Sequence, residues 1–205
     1  MDFSLLLVAV VVGAHFVRVR DQKLRIAMLS GHLVNYDIEK LMEALTTGYL
    51  RALGEADPDR QSQIWNLLAA TQARLAEQFN HFATAVAKLD VAATRVSKLP
   101  VAIPYATSLF PGASFDLREA LRIHAMGLNQ AAVPGAGATD AVNAKRRAFT
   151  MMAEILLMQH TCHWFCRSEA IASARLLKQH QTTHDQVLGA VSPASRQAYG
   201  ALTGR

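Results

Sequence analysis

Residues 57–96 read DPDRQSQIWNLLAATQARLAEQFNHFATAVAKLDVAATRV, with apolar side chains every three or four positions. That spacing places the apolar side chains on one face of an α-helix, whereas a half-buried strand alternates at every second position. Asp57 is a favoured N-cap residue and Pro58 a favoured first helical residue, so a long helix is predicted to begin here. Its side chains should form a coiled-coil-like seam: Ile64, Leu68, Thr71, Leu75, Phe79, Phe82, Val86, Leu89, Ala93 and Val96.

A second amphipathic helix is predicted before this one, because apolar residues recur at helical spacing between Leu29 and Tyr49. Gly54 marks its end, and only a short loop separates it from Asp57. Short connections favour antiparallel neighbours. The two helices should therefore form a long antiparallel hairpin.

The C-terminal half is predicted to be helical as well. Hydrophobic residues make up 51% of the 205-residue chain but aromatic residues only 7%, a balance that favours helices over sheets. The predicted fold class is all-α, with the helices arranged as an antiparallel bundle. Its later elements are a helix from Ser114 to about Gln130 capped near Ser114 or Asp116, a connector at Pro134, Gly135 and Gly137, a helix from about Asp140 to His180, and one short helix after Ser192 and Pro193.

The N-terminal stretch FSLLLVAVVVGAHFV, from Phe3 to Val17, carries no charged residue. Basic residues follow it, among them Arg18 and Arg20, and the positive-inside rule places such a flank in the cytoplasm. The sequence thus predicts that residues 1–20 form a single transmembrane helix in a bacterial-type inner (plasma) membrane, with the N-terminus outside. Residues 21–205 would form a cytoplasmic helical domain. The alternative is a core helix buried in a protein bundle.

The charge pattern favours membrane lipid as a partner and disfavours nucleic acid. The formal net charge is +5, and basic residues cluster directly after the apolar run, at Arg18, Arg20, Lys23 and Arg25. Such a flank suits anionic headgroups. A second basic cluster, at residues 145–147, lacks the interleaved aromatic residues on which bases stack.

A proline-rich apolar stretch, PVAIPYATSLFPG, covers residues 100–112 and cannot form a continuous helix. It is interpreted either as a loop packed over the bundle or as a segment that touches the bilayer or a protein partner. In the second case Tyr105 and Phe110 would make the contact.

One group of residues could bind a metal. His160, Cys162, His163 and Cys166 lie within seven positions of one predicted helix, where spacings of three and four bring side chains to one face. Imidazole and thiolate suit zinc or copper, and haem is a further possibility. The alternative is that these are ordinary core residues, in which case no cofactor is expected.

Other ionisable residues in the helices have simpler interpretations. Glu154 stands in an apolar run and should either pair with a histidine or arginine of another helix or remain solvated at the edge of the core. His180 and His184 are four apart but are more simply a surface pair.

No sequence motif identifies an enzyme. The chain has no G-x-S-x-G nucleophile motif, no P-loop and no dinucleotide-binding glycine motif. The sequence therefore favours a non-enzymatic, membrane-anchored scaffold or accessory subunit that binds a protein partner, or a second copy, through its helical seam. The alternatives are a metal- or haem-binding redox or sensor protein, and an enzyme acting on membrane lipid.

Overall fold

The computed structural model describes residues 3–133 and 141–204. The chain is mostly helical, which confirms the all-α class. The predicted connector at Pro134, Gly135 and Gly137 and the predicted helix start at Asp140 lie outside the described residues. The elements are α1 (Phe3–Leu33), α2 (Ile38–Gly54), α3 (Pro58–Val86), β1 (Arg95–Ser97), α4 (Ala106–Leu109), a 3₁₀ turn (Pro111–Ala113), β2 (Ser114–Asp116), α5 (Leu117–Ala132), α6 (Ala141–Cys166), α7 (Glu169–His180), α8 (His184–Ala190) and α9 (Pro193–Thr203).

The N-terminal apolar run forms the first half of α1, which continues through residue 20 to Leu33 as one unbroken helix of 31 residues. Over residues 3–133 and 141–204, no helix has both the length and the apolar character that a membrane-spanning segment needs. The predicted transmembrane helix at residues 1–20 is therefore not supported. The physical reason is that Arg18 and Arg20 end the uncharged run at Val17, short of the roughly 20 residues that a span requires.

The predicted hairpin of α2 and α3 is present. Asp57 caps α3 by accepting hydrogen bonds from the backbone N–H groups of Asp59 and Arg60, at 2.9 and 3.3 Å. Near the same end, the Gln61 side chain donates to the Ala52 carbonyl at 2.9 Å and joins the two helices across their connection. The N-cap residue Asp57 thus fixes the start of α3 and with it the predicted connection between the two helices.

The predicted seam ends earlier than its spacing suggested, because α3 stops at Val86. Asp90 accepts hydrogen bonds from the backbone N–H groups of Ala92 and Ala93, at 2.7 and 3.3 Å, and so stabilises a turn in place of a helix. Val96 belongs instead to β1, where it pairs with Phe115 of the antiparallel strand β2. Both side chains are buried, so this short ribbon packs into the helical core.

The seam is filled from within the chain. Leu75, Phe79 and Phe82 are almost completely buried, and α3 packs along α2 on one side and α5 on the other. A protein partner or a second copy would therefore have to use other residues than this seam.

The predicted helix from about Asp140 to His180 is wrong in one respect, because it divides into α6 and α7. The Ser168 side chain accepts a hydrogen bond from the Ile171 N–H at 3.4 Å and caps α7. The single short helix predicted after Ser192 and Pro193 is present as α9. A further short helix, α8, precedes it, and each of the two has its own polar N-cap, at Thr183 and Ser192. Each cap gives the chain a turn that folds these helices back onto α5 and α6.

The second half of α1 is held against the bundle. Gln22 is buried and accepts a hydrogen bond from Arg167 at 2.8 Å. Arg25 donates to the Arg95 carbonyl at 2.9 Å, and its guanidinium lies over the ring of Phe165 at 5.0 Å. The sequence places Arg25 among the basic residues that follow the apolar run, but in the structure its side chain connects α1 to β1 and α6.

We expect Asp57→Ala to lower the free energy of unfolding by about 1 kcal/mol, since it removes the side-chain acceptor from the first turn of α3. Denaturant unfolding followed by circular dichroism would measure this. Asp59→Ala is the matched control, because Asp59 has the same charge and lies in the same turn but does not cap it. Equal losses for the two variants would contradict the capping role.

Candidate functional site

The first half of α1 extends beyond the bundle. Every described side chain from Ser4 to Phe16 is exposed, so no face of this segment is covered by the rest of the chain. Isolated exposed apolar residues are common on proteins, but a continuous apolar surface of this kind marks a contact site. Its large apolar residues are 47–68% exposed: Leu5, Leu6, Leu7, Val8, Val10, Val11, Val12 and Phe16. We call this segment the apolar tip.

Basic side chains follow the apolar tip directly. Arg18 and Arg20, predicted from the sequence as lipid contacts, are both exposed, and so is Lys23. Arg18 lies 3.4 Å from the ring of His15, within the same helix. Arg18, Arg20 and Lys23 lie where α1 leaves the bundle, and we call them the basic collar.

The proline-rich loop lies beside this collar. Val17 and Arg18 of α1 share a small cavity of about 220 Å³ with Ile103 and Tyr105 of the loop. Tyr105 is 68% exposed and Phe110 is 52% exposed. The structure thus places exposed Tyr105 beside the point from which the apolar tip extends, and Phe110 is a second exposed side chain of the same loop.

A large cleft opens between α1, α2, α6 and α7, with a volume of about 890 Å³. Phe79 and Phe82 of α3 and Ile155 of α6 line its inner part, and all three are almost completely buried. The cleft therefore lies directly over the hydrophobic core. Three methionines also line it: Met42, Met152 and Met158.

The polar groups at the cleft are divided between two helices. His163 of α6 and Arg175 and His180 of α7 line it on one side, and Glu39 and Glu43 of α2 line it on another. Burial, and secondarily the charge of Arg175, lower the pKa values of His163 and His180. Both histidines therefore favour the neutral form, and Arg175 supplies the permanent charge on that side.

The four residues predicted as metal ligands do not point to one place. Cys162, His163 and Cys166 line the cleft, whereas His160 is completely buried and contacts Ser173, with His160 Nε2 3.0 Å from Ser173 Oγ. Burial raises the pKa of Cys162 to about 12 and that of Cys166 to about 11, which disfavours the thiolate form that binds metals. Among the described residues, no three His, Cys, Asp or Glu side chains are arranged to hold a metal ion.

A polar cluster lies buried between α5, α6 and α9. His124 Nε2 is 2.8 Å from Thr161 Oγ1, which is 3.0 Å from the Tyr199 hydroxyl. Burial lowers the pKa of His124 to about 3, so this ring is neutral at physiological pH. Nearby, the rings of His160 and His184 lie against each other with centroids 4.3 Å apart. The interpretation of His184 as part of a surface pair was wrong, since it is buried at the start of α8.

Glu154 is also completely buried, so the solvated alternative was wrong. Its Oε1 accepts a hydrogen bond from the Ser192 backbone N–H at 3.1 Å, at the turn between α8 and α9. The opposite side of its carboxyl group lies against Gly127 of α5, where a Cβ would overlap both Glu154 and the Ser195 hydroxyl. The partners of Glu154 are thus the Ser192 backbone N–H and the hydroxyl groups of Ser195 and Ser192, and neither histidine nor arginine as the sequence suggested.

Sequence reasoning missed the buried roles of His124 and Tyr199 and missed the cleft. The signal for His124 was available, because it lies between Ile123 and Ala125 in a helix with apolar residues on most sides. The cleft left no local signal, since residues of five separate helices form it.

We expect Glu154→Gln to change how stability depends on pH. Burial raises the pKa of Glu154, so the folded protein retains a proton that the unfolded chain loses above about pH 4.3. The free energy of unfolding of the natural protein should therefore fall as pH rises from there through the folded-state pKa. The variant lacks this decrease and should gain stability relative to the natural protein between pH 4 and pH 8, measured by urea unfolding.

Glu77→Gln is the control for this variant, because Glu77 is exposed on α3. If both variants show the same pH dependence as the natural protein, Glu154 is not a buried carboxyl group with a raised pKa.

Among the described residues, the apolar tip with its basic collar and the cleft are both open to another molecule. No protein-family model, curated protein or solved structure matches the chain.

Proposed function

We propose that the protein is a membrane-anchored, non-enzymatic scaffold or accessory subunit, held to the bilayer by the apolar tip of α1. The observation that carries this proposal is that the tip is apolar on all sides and covered on none. A groove on a protein partner would cover one face of such a helix. Lipid covers the whole circumference, and a helix that is hydrophobic all round normally lies in such surroundings.

The dimensions of the tip support insertion without a complete crossing. The 13 residues from Ser4 to Phe16 extend about 20 Å as a helix, compared with about 30 Å for the hydrocarbon core of a bilayer. Arg18 and Arg20 would then lie among the phosphate groups, where basic side chains are attracted to anionic lipids.

The neighbouring loop supports the same orientation. Exposed Tyr105 is of the residue type that is enriched at membrane interfaces, and the loop lies beside the basic collar. Because the basic residues lie on the bundle side of the apolar tip, their attraction to the anionic lipids of the cytoplasmic leaflet supports a bundle on the cytoplasmic side of the plasma membrane.

The scaffold role requires a protein partner, and the hairpin offers a surface for one. Leu50 and Leu53 of α2 and Leu67 of α3 are 69%, 40% and 73% exposed. Exposed leucines on a helical hairpin suit contact with the apolar face of another helix. This surface replaces the buried seam as the proposed contact with a protein partner.

We expect the double variant Val8→Glu, Val12→Glu to move the full-length protein from the membrane fraction to the supernatant at alkaline pH, because a carboxylate in hydrocarbon is strongly unfavourable. Both positions are exposed on the apolar tip, so the bundle should remain folded by circular dichroism. The control is Leu50→Glu, Leu67→Glu, which places two charges on equally exposed leucines of the hairpin. Anchoring by the tip is wrong if the natural protein is itself extracted, or if both double variants are extracted equally.

We expect the hairpin variant Leu50→Glu, Leu67→Glu to stay in the membrane fraction but to lose its contact with a protein partner. A photoreactive residue placed at Leu53 would report this contact in cells as a crosslinked band of higher mass. The scaffold role is contradicted if Leu53 gives no band in the natural protein, or if the band is unchanged in the variant.

A further inference from the structure

The cleft is large enough to receive an apolar chain. Phe79, Phe82 and Ile155 form its floor and are themselves almost completely buried. Its accessible walls above that floor are half-buried apolar side chains of α1, α2 and α6, among them Leu33, Met42 and Leu156. Its 890 Å³ lies within the range typical of small-molecule sites, roughly 300–1,000 Å³.

The lining of the cleft suits a flexible hydrocarbon. Met42, Met152 and Met158 line it, and the first two are half-buried, so part of their surface is open to a ligand. Methionine side chains are unbranched and polarizable, so they adapt to ligands of variable shape. The Sδ atom of Met42 contacts Gln159 at 3.8 Å, and that of Met152 contacts Thr46 at 3.9 Å, so polar groups border this apolar region.

The α6–α7 side of the cleft suits an anion. Arg175 lies near His163 and His180, and its Nε donates to Gln179 at 3.1 Å, which leaves further guanidinium N–H groups for a ligand. Glu39 and Glu43 lie on α2, and neither forms an ion pair with another residue in the part of the chain that the structure describes. The charge of Arg175 is therefore not neutralised by these carboxylates.

We infer that the cleft binds a single-chain amphiphile with an anionic headgroup, of the fatty-acid type, with its chain against Met42 and Met152 and its headgroup beside Arg175. The bilayer is the source of such a molecule. The inference goes beyond membrane anchoring and does not depend on it, since the cleft is formed by the second half of α1 and the bundle.

The test is photocrosslinking with a long-chain fatty acid that carries a diazirine on its chain. The full-length protein in phosphatidylcholine vesicles is irradiated with this probe, and the labelled residues are located by mass spectrometry. We expect labels on Met42 and Met152, and we expect unlabelled oleate to prevent them. The corresponding long-chain amine should compete poorly, because Arg175 repels its ammonium group.

Two pairs of variants separate the headgroup from the chain. Arg175→Gln should weaken probe binding about tenfold, since it removes a charge-assisted contact, whereas Lys178→Gln on the exposed part of the same helix should have no effect. Thr46→Phe should fill the cleft and abolish labelling. Leu50→Phe, one turn further along α2 and not in the lining of the cleft, is its control.

The site is overturned if the label is confined to the apolar tip of α1, an outcome that would leave the membrane anchor intact. It is equally overturned if labelling of the cleft is unchanged by oleate and by Thr46→Phe. Loss of labelling in Leu50→Phe to the same extent as in Thr46→Phe would also contradict it. A loss of folding in any variant would be detected by circular dichroism and would exclude that variant from the comparison.

Discussion

The enclosure of α6 by its neighbours is the constraint on which the rest of the structure depends. This helix packs against α1, α2, α3, α5, α7 and α8, so the polar groups on its inner side have no access to water. Glu154 and Thr161 must therefore find their partners inside the protein, because an unsatisfied buried polar group is strongly destabilising. The turn before α9 supplies the Ser192 N–H, and α9 supplies the Tyr199 hydroxyl. Gly127 completes the arrangement, since the absence of a side chain lets the Glu154 carboxyl group lie against α5.

This arrangement gives α6 two different sides. The side toward α5 and α9 is closed and polar, with neutral His124 at its centre. The side toward α2 and α7 is apolar and open, and it forms the cleft. The same helix thus both anchors the fold through internal hydrogen bonds and presents a surface that the bundle leaves uncovered. Apolar surface that remains uncovered in a folded chain is costly, so its persistence here supports a role in binding lipid or another molecule.

Local chemistry decided which sequence predictions succeeded. The start of α3 was predicted correctly because Asp57 and Pro58 act within one turn of the helix. The predicted continuation to Val96 failed because Asp90 offers the backbone a competing turn, and helical spacing of apolar residues does not reveal which of the two forms. The break at Ser168 was missed for a similar reason. The exposure of Tyr105 depends on how the proline-rich loop packs, which the sequence does not record.

The sequence by itself determined the helical class, the hairpin of α2 and α3 and the apolar run with its basic flank, because each depends on the spacing or order of neighbouring residues. The tertiary structure alone decided the length of α1 that packs on the bundle, the internal use of Arg25 and the separation of His160 from Cys162, His163 and Cys166. It also decided the cleft and the burial of Glu154. The physical reason is that burial and electrostatic environment arise from residues that are distant in the chain, such as Gly127 and Ser192 around Glu154, and no local pattern records which of them will meet.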